Sequence, residues 1–392
     1  MGRYSQRMQK IKASEIREIL KLTQIEGIIS FAGGLPAPEL FPLEAMEAVS
    51  KKVITTIGKD ALQYSTTEGY DPLRKQIASR MKKMSIKTTH ENILITSGSQ
   101  QGLEFSGKIF LDPDDIVICE SPSYLGAINA FNSYECQFRE VETDEAGMKM
   151  DVLETTIKEN PKSKFIYVIP DFQNPSGKTW TLERREKLIE LANKYDLVVI
   201  EDNPYGELRY EGDHLPAVKS LDTEGRVVFL GTFSKTFAPG LRVGWVCADD
   251  EILNKYIQIK QSADLQTSSM SQRELSVFMD DYSLDDHIDK IVKVYKVRRN
   301  LMLETMDKHF PADAKYIKPV GGLFIWVELP EHIDTKALMV KAVENMVAFV
   351  PGGSFFPNSD TKNTMRLNFS NMNEENIVIG IKRLGELLSN EL

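Results

Sequence analysis

Five short, uninterrupted apolar runs in the middle of the chain limit its possible folds more than any other feature. The runs are rich in β-branched and aromatic residues and show no polar alternation, which is typical of strands buried on both faces. Amphipathic helical segments lie between several of them, as at residues 181–195. Strands that alternate with helices predict an α/β fold with a mostly parallel central sheet. The runs occupy residues 93–95, 116–119, 165–169, 197–200 and 227–230.

The last third of the chain has a different pattern and predicts a second, smaller α+β domain. A long helical pattern covers residues 285–308, and the segment FIWVEL that follows it has the character of a strand. A further helix is expected from about Asp334, with strands at residues 347–350 and 365–369. We therefore divide the chain into an N-terminal segment with one helix, a large domain and a small domain, at residues 1–40, 41–285 and 286–392.

Charge and composition exclude several partner classes. Lys and Arg number 48 against 57 Asp and Glu, giving a net charge of −9 and a pI near 5.3, whereas a nucleic-acid binder usually has a basic face. No apolar run approaches the roughly 18 residues of a membrane helix, and the N-terminus does not resemble a signal peptide. Three widely spaced cysteines indicate a reducing compartment, so we expect a cytoplasmic protein. Five scattered histidines without an HExxH or CxxC motif predict no metal site.

Small polar residues follow the first apolar run, at the place where open α/β sheets bind their ligands. Residues 97–102 (SGSQQG) precede a helical pattern, so Ser99 and Gln100 lie at a helix start whose free N–H groups and dipole favour an anion. The segment is neither GxGxxG nor a Walker loop, which disfavours a dinucleotide or a nucleoside triphosphate. Taken alone, it is better explained as a simple helix N-cap.

The next strand ends present an aromatic ring, an amide and a carboxylate. Tyr124 follows the second run and is placed to stack on a planar ligand, and Asn174 lies in a loop rich in Pro and Gly after the third. Glu201 and Asp202 follow the fourth run, and a buried carboxylate there needs a cation or a donor as its partner. Each feature also has a plainer explanation: a core tyrosine, an Asn-Pro turn and an ordinary ion pair.

A lysine flanked by hydroxyl groups follows the fifth run. Thr232, Ser234 and Lys235 stand together, and Arg242 comes a little further along the chain. Desolvation and a nearby cation both lower the pKa of a lysine, which makes its amine a usable nucleophile or base. The plainer explanation of this segment is a surface lysine in a loop rich in Gly and Pro.

Taken together, these strand ends match the requirements of one cofactor, pyridoxal phosphate. Its phosphate needs N–H groups, hydroxyls and a guanidinium, and its ring nitrogen needs a carboxylate. Its phenolic oxygen needs donors such as Asn174 and Tyr205, and its aldehyde needs a lysine amine. The sequence therefore predicts a pyridoxal phosphate site at the carboxyl edge of the sheet.

The chain resembles the fold-type I pyridoxal-phosphate aminotransferases of class I/II, and within them the 2-aminoadipate, kynurenine and aromatic aminotransferases. The resemblance covers nearly the whole chain and implies a large α/β domain, a smaller α+β domain and transfer of an amino group. The implied reaction takes the group from an L-amino acid to a 2-oxo acid, 2-oxoglutarate, by a ping-pong mechanism. The most specific motifs are ISFAGGLPAPELFP, LQYSTTEGYDPLR, TSGSQQGLE, PDFQNPSG, EDNPYGELRY and GTFSKTFAPGLRVGW.

The resemblance also implies roles for the residues around the cofactor ring. Lys235 resembles the lysine that bonds covalently to the cofactor and then moves the substrate proton. Asp202 resembles the partner of the ring nitrogen, and Tyr205 and Asn174 resemble the ligands of the phenolic oxygen. Tyr124 resembles the aromatic residue that stacks on the ring.

A second group of residues resembles the phosphate ligands of the family. Ser99 and Gln100 match the phosphate-binding helix start, and Thr232, Ser234 and Arg242 match the remaining ligands. Threonine at position 232 is a departure, because relatives commonly have serine there. The resemblance implies that hydroxyl, guanidinium and backbone N–H groups together bind the phosphate.

Three further matches imply substrate contacts and a shared active site. Arg366 in MRLNFS resembles the arginine that binds the substrate α-carboxylate, together with Asn174, and its planar fork suits that pairing. Gly34 resembles the glycine that lets the backbone approach the substrate. Tyr64 resembles a tyrosine that contacts the phosphate of the neighbouring subunit, which implies a homodimer with two shared sites.

The N-terminal segment is expected to cover the substrate. Ser14 is a natural N-cap, but Arg17 stands where a capping box has Glu or Gln, and a cation near the positive end of a helix is unfavourable. Relatives that accept 2-aminoadipate place a Ser and an Arg near the substrate side chain. We therefore hypothesise that Arg17 recognises a distal carboxylate, with Ser14 beside it; the alternative is Arg17 on a solvated helix face.

Two other functions stay open from the sequence alone. The cofactor motifs do not determine which substrate bond breaks, so a pyridoxal-phosphate lyase or decarboxylase is one alternative. The other is a non-enzymatic regulator, because some bacterial transcription regulators resemble this fold behind a DNA-binding winged helix. The matching pattern starts by Ser14 and the net charge is −9, so we expect neither such a module nor a nucleic-acid partner.

Overall fold

The computed structural model describes residues 3–5, 7–8 and 26–392. Its strands are β1 (Ile29–Ser30), β2 (Ile93–Thr96), β3 (Ile116–Ser121), β4 (Gln137–Asp144), β5 (Gly147–Met148), β6 (Ser163–Val168), β7 (Val198–Asn203), β8 (Val227–Thr232), β9 (Gly244–Cys247), β10 (Lys315–Tyr316), β11 (Phe324–Glu328), β12 (Val347–Ala348), β13 (Val350–Pro351) and β14 (Thr364–Asn368). Its α-helices are α1 (Leu43–Ala61), α2 (Asp71–Met81), α3 (Ser99–Phe110), α4 (Leu125–Asn132), α5 (Met150–Glu159), α6 (Leu182–Tyr195), α7 (Asp250–Ala263), α8 (Ser269–Asp281), α9 (Leu284–His309), α10 (Thr335–Glu344) and α11 (Glu374–Glu391).

An eight-stranded sheet forms the centre of the large domain, in the order β2-β9-β8-β7-β6-β3-β4-β5. The neighbours from β8 through β7, β6 and β3 to β4 are parallel, whereas β9 is antiparallel to both β2 and β8. Because β2 therefore runs in the same direction as β8, the carboxyl ends of β2, β3, β6, β7 and β8 share one edge. All five predicted strands are present, and the predicted α/β fold class is confirmed.

The strands are continuous apolar runs because helices cover both faces of the sheet. In β3, Val117 packs in a cluster that contains Tyr256 of α7. The next residue, Ile118, packs in a different cluster with Leu188 of α6. Successive side chains of a strand point to opposite faces, so both sets must be apolar when both faces are buried.

Three strands of the large sheet are not predicted from the sequence. β9 has only four residues and directly follows the loop that contains Lys235, so it has no separate signal in the sequence. β4 has four charged residues among its eight (QFREVETD) and is only partly buried, which removes the signal of a core strand. β5 has only two residues and pairs with β4.

The small domain is built on an antiparallel sheet in the order β10-β11-β14-β13. Apolar residues of α9, α10 and α11 pack with this sheet in one core cluster, including Met302, Leu338 and Leu384. The predicted boundary between residues 285 and 286 falls in the first turn of α9. The domain boundaries themselves stay a prediction.

The segment that begins with β1 is attached to the small domain. β1 pairs in parallel with β12, and the Phe31 N–H donates to the Ala348 carbonyl at 2.8 Å. The Ser370 hydroxyl donates to the Leu35 carbonyl at 2.7 Å. These bonds fix the backbone on both sides of Gly34. The helix predicted from Ser14 lies outside the described residues.

Two kinds of feature are absent from the described ranges. No helix in them combines the length and the apolar character that crossing a membrane requires. In the same ranges, no group of three or more His, Cys, Asp and Glu residues is arranged to hold a metal ion.

Candidate active site

The carboxyl edge of the large sheet opens into a cavity of about 280 Å³. Its walls come from the loops after β2, β3, β6, β7 and β8, joined by the segment around Gly34 and by β14 of the small domain. The cavity is of the size that suits one small organic ligand. The predicted residues that line it are Gly34, Ser99, Gln100, Tyr124, Asn174, Asp202, Tyr205, Thr232, Ser234, Lys235, Arg242 and Arg366.

Lys235 is half-buried and presents its amine to this cavity. Its Nζ donates a hydrogen bond to the Gly34 carbonyl at 2.8 Å. Burial, and then the positive charges of Arg366 and Arg242, lower the pKa of the amine to about 8, while the Asp202 carboxylate opposes the shift. An amine with this pKa is partly neutral near physiological pH and can act as a nucleophile or a base.

Asp202, at the end of β7, is a buried carboxyl with one oxygen satisfied and one free. Its Oδ2 accepts a hydrogen bond from the Tyr167 hydroxyl at 3.0 Å, and its Oδ1 has no partner among the described residues. Burial raises the pKa of Asp202 to about 7, and the Tyr167 hydrogen bond and the charge of Lys235 counteract this rise. The free oxygen of such a carboxyl can accept a hydrogen bond from a donor group of a ligand.

Arg366 links the small domain to the loop after β6. Its Nη1 donates to Asn174 Oδ1 at 2.7 Å and its Nη2 to the Ala32 carbonyl at 2.9 Å, but its buried Nε has no partner in the part of the chain that the structure describes. Asn174 Nδ2 in turn donates to the Tyr205 hydroxyl at 3.2 Å. Burial lowers the pKa of Arg366 to about 10, and the guanidinium lies 4.2 Å from the ring centroid of Phe324. The group remains a cation that needs an anionic partner.

The opposite end of the cavity is formed by the start of α3. Gly98, the residue before the helix, has a φ of +83°, which favours glycine, and a Cβ there would overlap the Arg242 guanidinium. Arg242 Nη2 donates to the Ser97 carbonyl at 3.0 Å, so the cation lies beside the positive end of the helix. An anion is required to stabilise this combination of charges.

Hydroxyl and aromatic groups complete the lining. Thr232 Oγ1 donates to Ser234 Oγ at 2.9 Å and accepts from the Ser234 N–H at 3.1 Å. On the other side, the Tyr124 hydroxyl lies 3.4 Å from Gln100 Oε1, and Gln100 Nε2 donates to the Gly126 carbonyl at 2.9 Å. Burial raises the pKa of the Tyr124 hydroxyl, so the ring is a neutral apolar surface suited to stacking.

Comparison with known proteins assigns the family. The model "Aminotransferase class I and II" matches residues 35–384. The chain is 47% identical to aromatic-amino-acid aminotransferase 1 of Thermococcus litoralis, covering 99% of this chain and 94% of that protein. It is 42% identical to the 2-aminoadipate transaminase of Thermus thermophilus, over 97% and 94% of the two chains. The crystal structure of Pyrococcus horikoshii kynurenine aminotransferase superposes with a TM-score of 0.95, at 45% identity, over 100% and 98% of the chains.

The chain belongs to the class I and II aminotransferases. The predictions of this family, of an enzyme that transfers amino groups and of pyridoxal phosphate as its cofactor are confirmed. The structure gives an independent test of the fit, because the aminotransferase cavity has a buried carboxylate oxygen and a buried guanidinium nitrogen that no described residue partners. A ring nitrogen that donates a proton and an anionic substrate group are the partners that such atoms lack.

Among the described residues, one predicted site residue of the aminotransferase does not lie at the cavity. Tyr64 does not line it, and its side chain is 79% exposed on this single chain. Ser14 and Arg17 lie outside the described residues. The hypothesis that Arg17 recognises a distal carboxylate, and the role of Tyr64 in a neighbouring subunit, stay predictions.

Sequence reasoning also missed residues that the structure places at the site. Ile169, Pro204 and Pro239 line the cavity but gave no chemical signal, because apolar residues next to a motif are common. Tyr167 contacts Asp202 from the neighbouring strand β6. A signal for Tyr167 was present, since a polar hydroxyl in the buried run FIYVI needs a hydrogen-bond partner.

Proposed function

We propose that this aminotransferase moves the amino group of an L-amino acid (2-aminoadipate, an aromatic or a branched aliphatic one) to 2-oxoglutarate by a ping-pong mechanism. The observation that supports this most strongly is the convergence of three unusual groups in one cavity: the amine of Lys235, the free Oδ1 of Asp202 and the free Nε of Arg366. The donor classes are supported by relatives named for aromatic amino acids, 2-aminoadipate and kynurenine. We further propose a cytoplasmic homodimer.

The phosphate of the cofactor would be held at the start of α3. Ser99 offers its N–H and hydroxyl there, and Gln100 adjoins it. The hydroxyls of Thr232 and Ser234 and the guanidinium of Arg242 line the same end of the cavity. The positive helix end and the arginine would together neutralise the charge of the phosphate.

The ring of the cofactor would lie between Tyr124 and the end of β7. When bound, pyridoxal phosphate supplies an aldehyde that bonds to amines and a ring that accepts electrons from the substrate. Asp202 Oδ1 would accept a hydrogen bond from the protonated ring nitrogen, while Asn174 and Tyr205 would donate to the phenolic oxygen. Tyr124 would stack on the ring and fix its plane.

Lys235 would move the proton of the reaction. With the cofactor and substrate bound, the free Nζ of Lys235 would take the proton from the substrate Cα and would then hold it for its return on the cofactor side. A pKa near 8 keeps enough of the amine neutral to accept the proton in the first transfer and makes the resulting ammonium acidic enough to donate it in the second. Lys235 is therefore proposed as the acid and base of both half-reactions.

Arg366 would bind the α-carboxylate of the substrate. Its free Nε–H, together with one of the two Nη groups that now donate to Asn174 and Ala32, can pair with both oxygens of a carboxylate. Gly34 lies at the same side of the cavity, where its backbone can approach the substrate. This pairing would orient the Cα proton toward Lys235.

Replacing Lys235 tests the central part of the proposal. Lys235→Ala should lower turnover by at least about 10³-fold, because it removes both the covalent anchor and the acid–base group. Borohydride reduction followed by peptide mass mapping should find the cofactor on Lys235 in the native enzyme and on no peptide of the variant. Lys260→Met is the matched control, since Lys260 is a buried lysine that also has a lowered pKa but lies outside the cavity. Normal turnover in Lys235→Ala would refute the mechanism.

A stoichiometric assay separates transamination from the lyase and decarboxylase alternatives. With 2-aminoadipate, phenylalanine, kynurenine or leucine as donor, each mole of donor consumed should yield one mole of glutamate from 2-oxoglutarate. Single-turnover spectra without acceptor should show that the amino group remains on the enzyme after the first half-reaction. Release of ammonia or carbon dioxide in place of glutamate would favour the alternatives.

A further inference from the structure

Tyr167 lies next to the site and contacts it through its hydroxyl group. It is on β6, next to β7, with its side chain 1% exposed in an apolar cluster of the large domain. It does not line the cavity, so no ligand there touches it. Its hydroxyl donates to Asp202 Oδ2 at 3.0 Å. Among the described residues, Tyr167 is the one whose side chain donates a hydrogen bond to Asp202.

The hydrogen bond makes the two oxygens of Asp202 unequal. Oδ2 accepts the hydrogen bond from Tyr167, whereas Oδ1 is buried and has no partner within the described ranges. The other titratable groups that face this carboxyl are Lys235, Tyr124 and Tyr205. Lys235 is the only cation among them, and its bond is made to the Gly34 carbonyl. Oδ1 is thus the oxygen available to the cofactor.

The tyrosine can act only as a donor. Burial, and then the charge of Asp202, raise the pKa of the Tyr167 hydroxyl well above its usual value, so the hydroxyl keeps its proton. Burial also raises the pKa of Asp202, and the hydrogen bond from Tyr167 is the largest influence that lowers it again. A permanent donor stabilises the ionised form of a carboxyl over the protonated form.

We infer that Tyr167 is a positioning residue that keeps the negative charge on Asp202 and thereby the proton on the ring nitrogen of the bound cofactor. One proton is shared between this nitrogen and Oδ1, and it can reside on either atom. Without the Tyr167 hydroxyl, the carboxyl becomes the more basic of the two and the proton shifts from nitrogen to oxygen. The inference rests on the proposed contact between Asp202 and the ring nitrogen.

The location of the proton can be measured directly. Solid-state ¹⁵N NMR of the holoenzyme, loaded with pyridoxal phosphate labelled at the ring nitrogen, should show a protonated nitrogen at pH 7. Tyr167→Phe should move the shift toward that of an unprotonated nitrogen, and Asp202→Asn should move it the whole way. A native enzyme with an unprotonated nitrogen overturns the inference without any variant.

Tyr256→Phe is the matched control. Tyr256 lies in the same apolar cluster, is equally buried and makes one hydroxyl contact, to Ser106 Oγ at 2.7 Å. The Tyr256→Phe variant therefore loses a similar buried hydrogen bond without affecting Asp202. Its ¹⁵N shift should equal that of the native enzyme. If Tyr167→Phe gives the same result as Tyr256→Phe while Asp202→Asn does not, the inference fails and the proposed role of Asp202 stands.

Binding to the apoenzyme gives a second readout that does not depend on activity. Tyr167→Phe should weaken pyridoxal phosphate by about tenfold, equivalent to about 1.4 kcal/mol. It should leave the affinity for the 1-deaza analogue, which has carbon in place of the ring nitrogen, within about twofold. Equal losses for both ligands would mean a general structural effect and contradict the inference. If Asp202→Asn changes neither affinity nor shift, the proposed cofactor contact itself is wrong.

Discussion

At the scale of single residues, the site is assembled from charged groups whose burial changes their ordinary ionisation. Burial lowers the pKa of Lys235 to about 8 and that of Arg366 to about 10, and it raises the pKa of Asp202 to about 7. Such displaced values are typical of functional sites, where charge is stabilised only when a ligand is present. In the proposed function, Lys235 moves the proton, Asp202 contacts the ring nitrogen and Arg366 binds the substrate carboxylate.

The lowered pKa of Lys235 leads to a prediction about pH. The apoenzyme should take up pyridoxal phosphate faster as the pH rises, and the rate should level off above about pH 8, because only the neutral amine attacks the aldehyde. Stopped-flow absorbance of the covalent attachment measures this profile. A rate that keeps rising toward about pH 10.4, the ordinary lysine value, would contradict the burial of the amine.

Arg366→Gln extends this experiment. Removing a positive charge near Lys235 raises the pKa of the amine, so the plateau of the uptake rate should move to higher pH. Arg383→Gln is the control, because Arg383 is a half-buried arginine of the small domain that donates to the Met346 carbonyl and is not among the charges that shift Lys235. An unchanged plateau in Arg366→Gln would rule out electrostatic coupling between the two residues.

The sequence predicted which residues form the site better than it predicted the contacts between them. Lys235, Asp202 and Asn174 each follow an apolar run, and parallel strands bring such positions to one edge. The position of Arg366 depends on how the small domain packs on the large one, so its place in the cavity was implied only by the family resemblance. The contact from Tyr167 depends on the register between β6 and β7, which the sequence pattern does not determine.

At the scale of elements, the phosphate end depends on the turn between β2 and α3. Gly98 has a positive φ, and the Arg242 guanidinium fills the space where a side chain would begin. Arg242 itself has a φ of +55°, so two neighbouring turns adopt left-handed geometry to bring N–H groups and a cation together. The helix start is therefore a binding element because of its backbone and not only because of its side chains.

Gly98→Ala should weaken the binding of pyridoxal phosphate by more than about tenfold, because the new methyl group displaces Arg242 and strains the turn. Binding of pyridoxal, which lacks the phosphate, should change much less. Titration of the apoenzyme with both ligands, followed by absorbance, measures the difference. Gly240→Ala is the control in the next loop, since a Cβ at Gly240 meets no atom within 4 Å. Equal losses for both ligands in Gly98→Ala would indicate general misfolding of the site.

The elements of the sheet were predictable where they are buried on both faces. β3, β6, β7 and β8 are such strands, and each was found from an unbroken apolar run. The antiparallel strand β9 was missed because a four-residue strand beside a loop rich in Gly and Pro has no distinct period. Its antiparallel direction follows from the topology of the chain, which local pattern does not determine.

At the scale of the whole molecule, the site lies between the two domains. The large domain supplies Lys235 and Asp202, while the small domain supplies Arg366 from β14 and anchors the segment that contains Gly34. In the proposed function, substrate on Arg366 and cofactor on the large domain would bridge the two cores. The proposal also includes a second copy of the chain, which would contact the exposed residues Leu62 and Tyr64. Their side chains are 76% and 79% exposed on the single chain.

A hybrid experiment tests whether the active sites are shared between subunits. Lys235→Ala and Tyr64→Ala homodimers should each have little activity, since each lacks a group at both sites. In a dimer of one chain of each kind, one site combines an intact Lys235 with an intact Tyr64 from the partner, so random reassociation should restore about a quarter of the native activity. The control uses Tyr282→Ala, a change at another exposed tyrosine, in place of Tyr64→Ala. The Tyr282→Ala homodimer should keep native activity. If the first mixture shows no more activity than its separate components, Tyr64 does not act across a subunit interface.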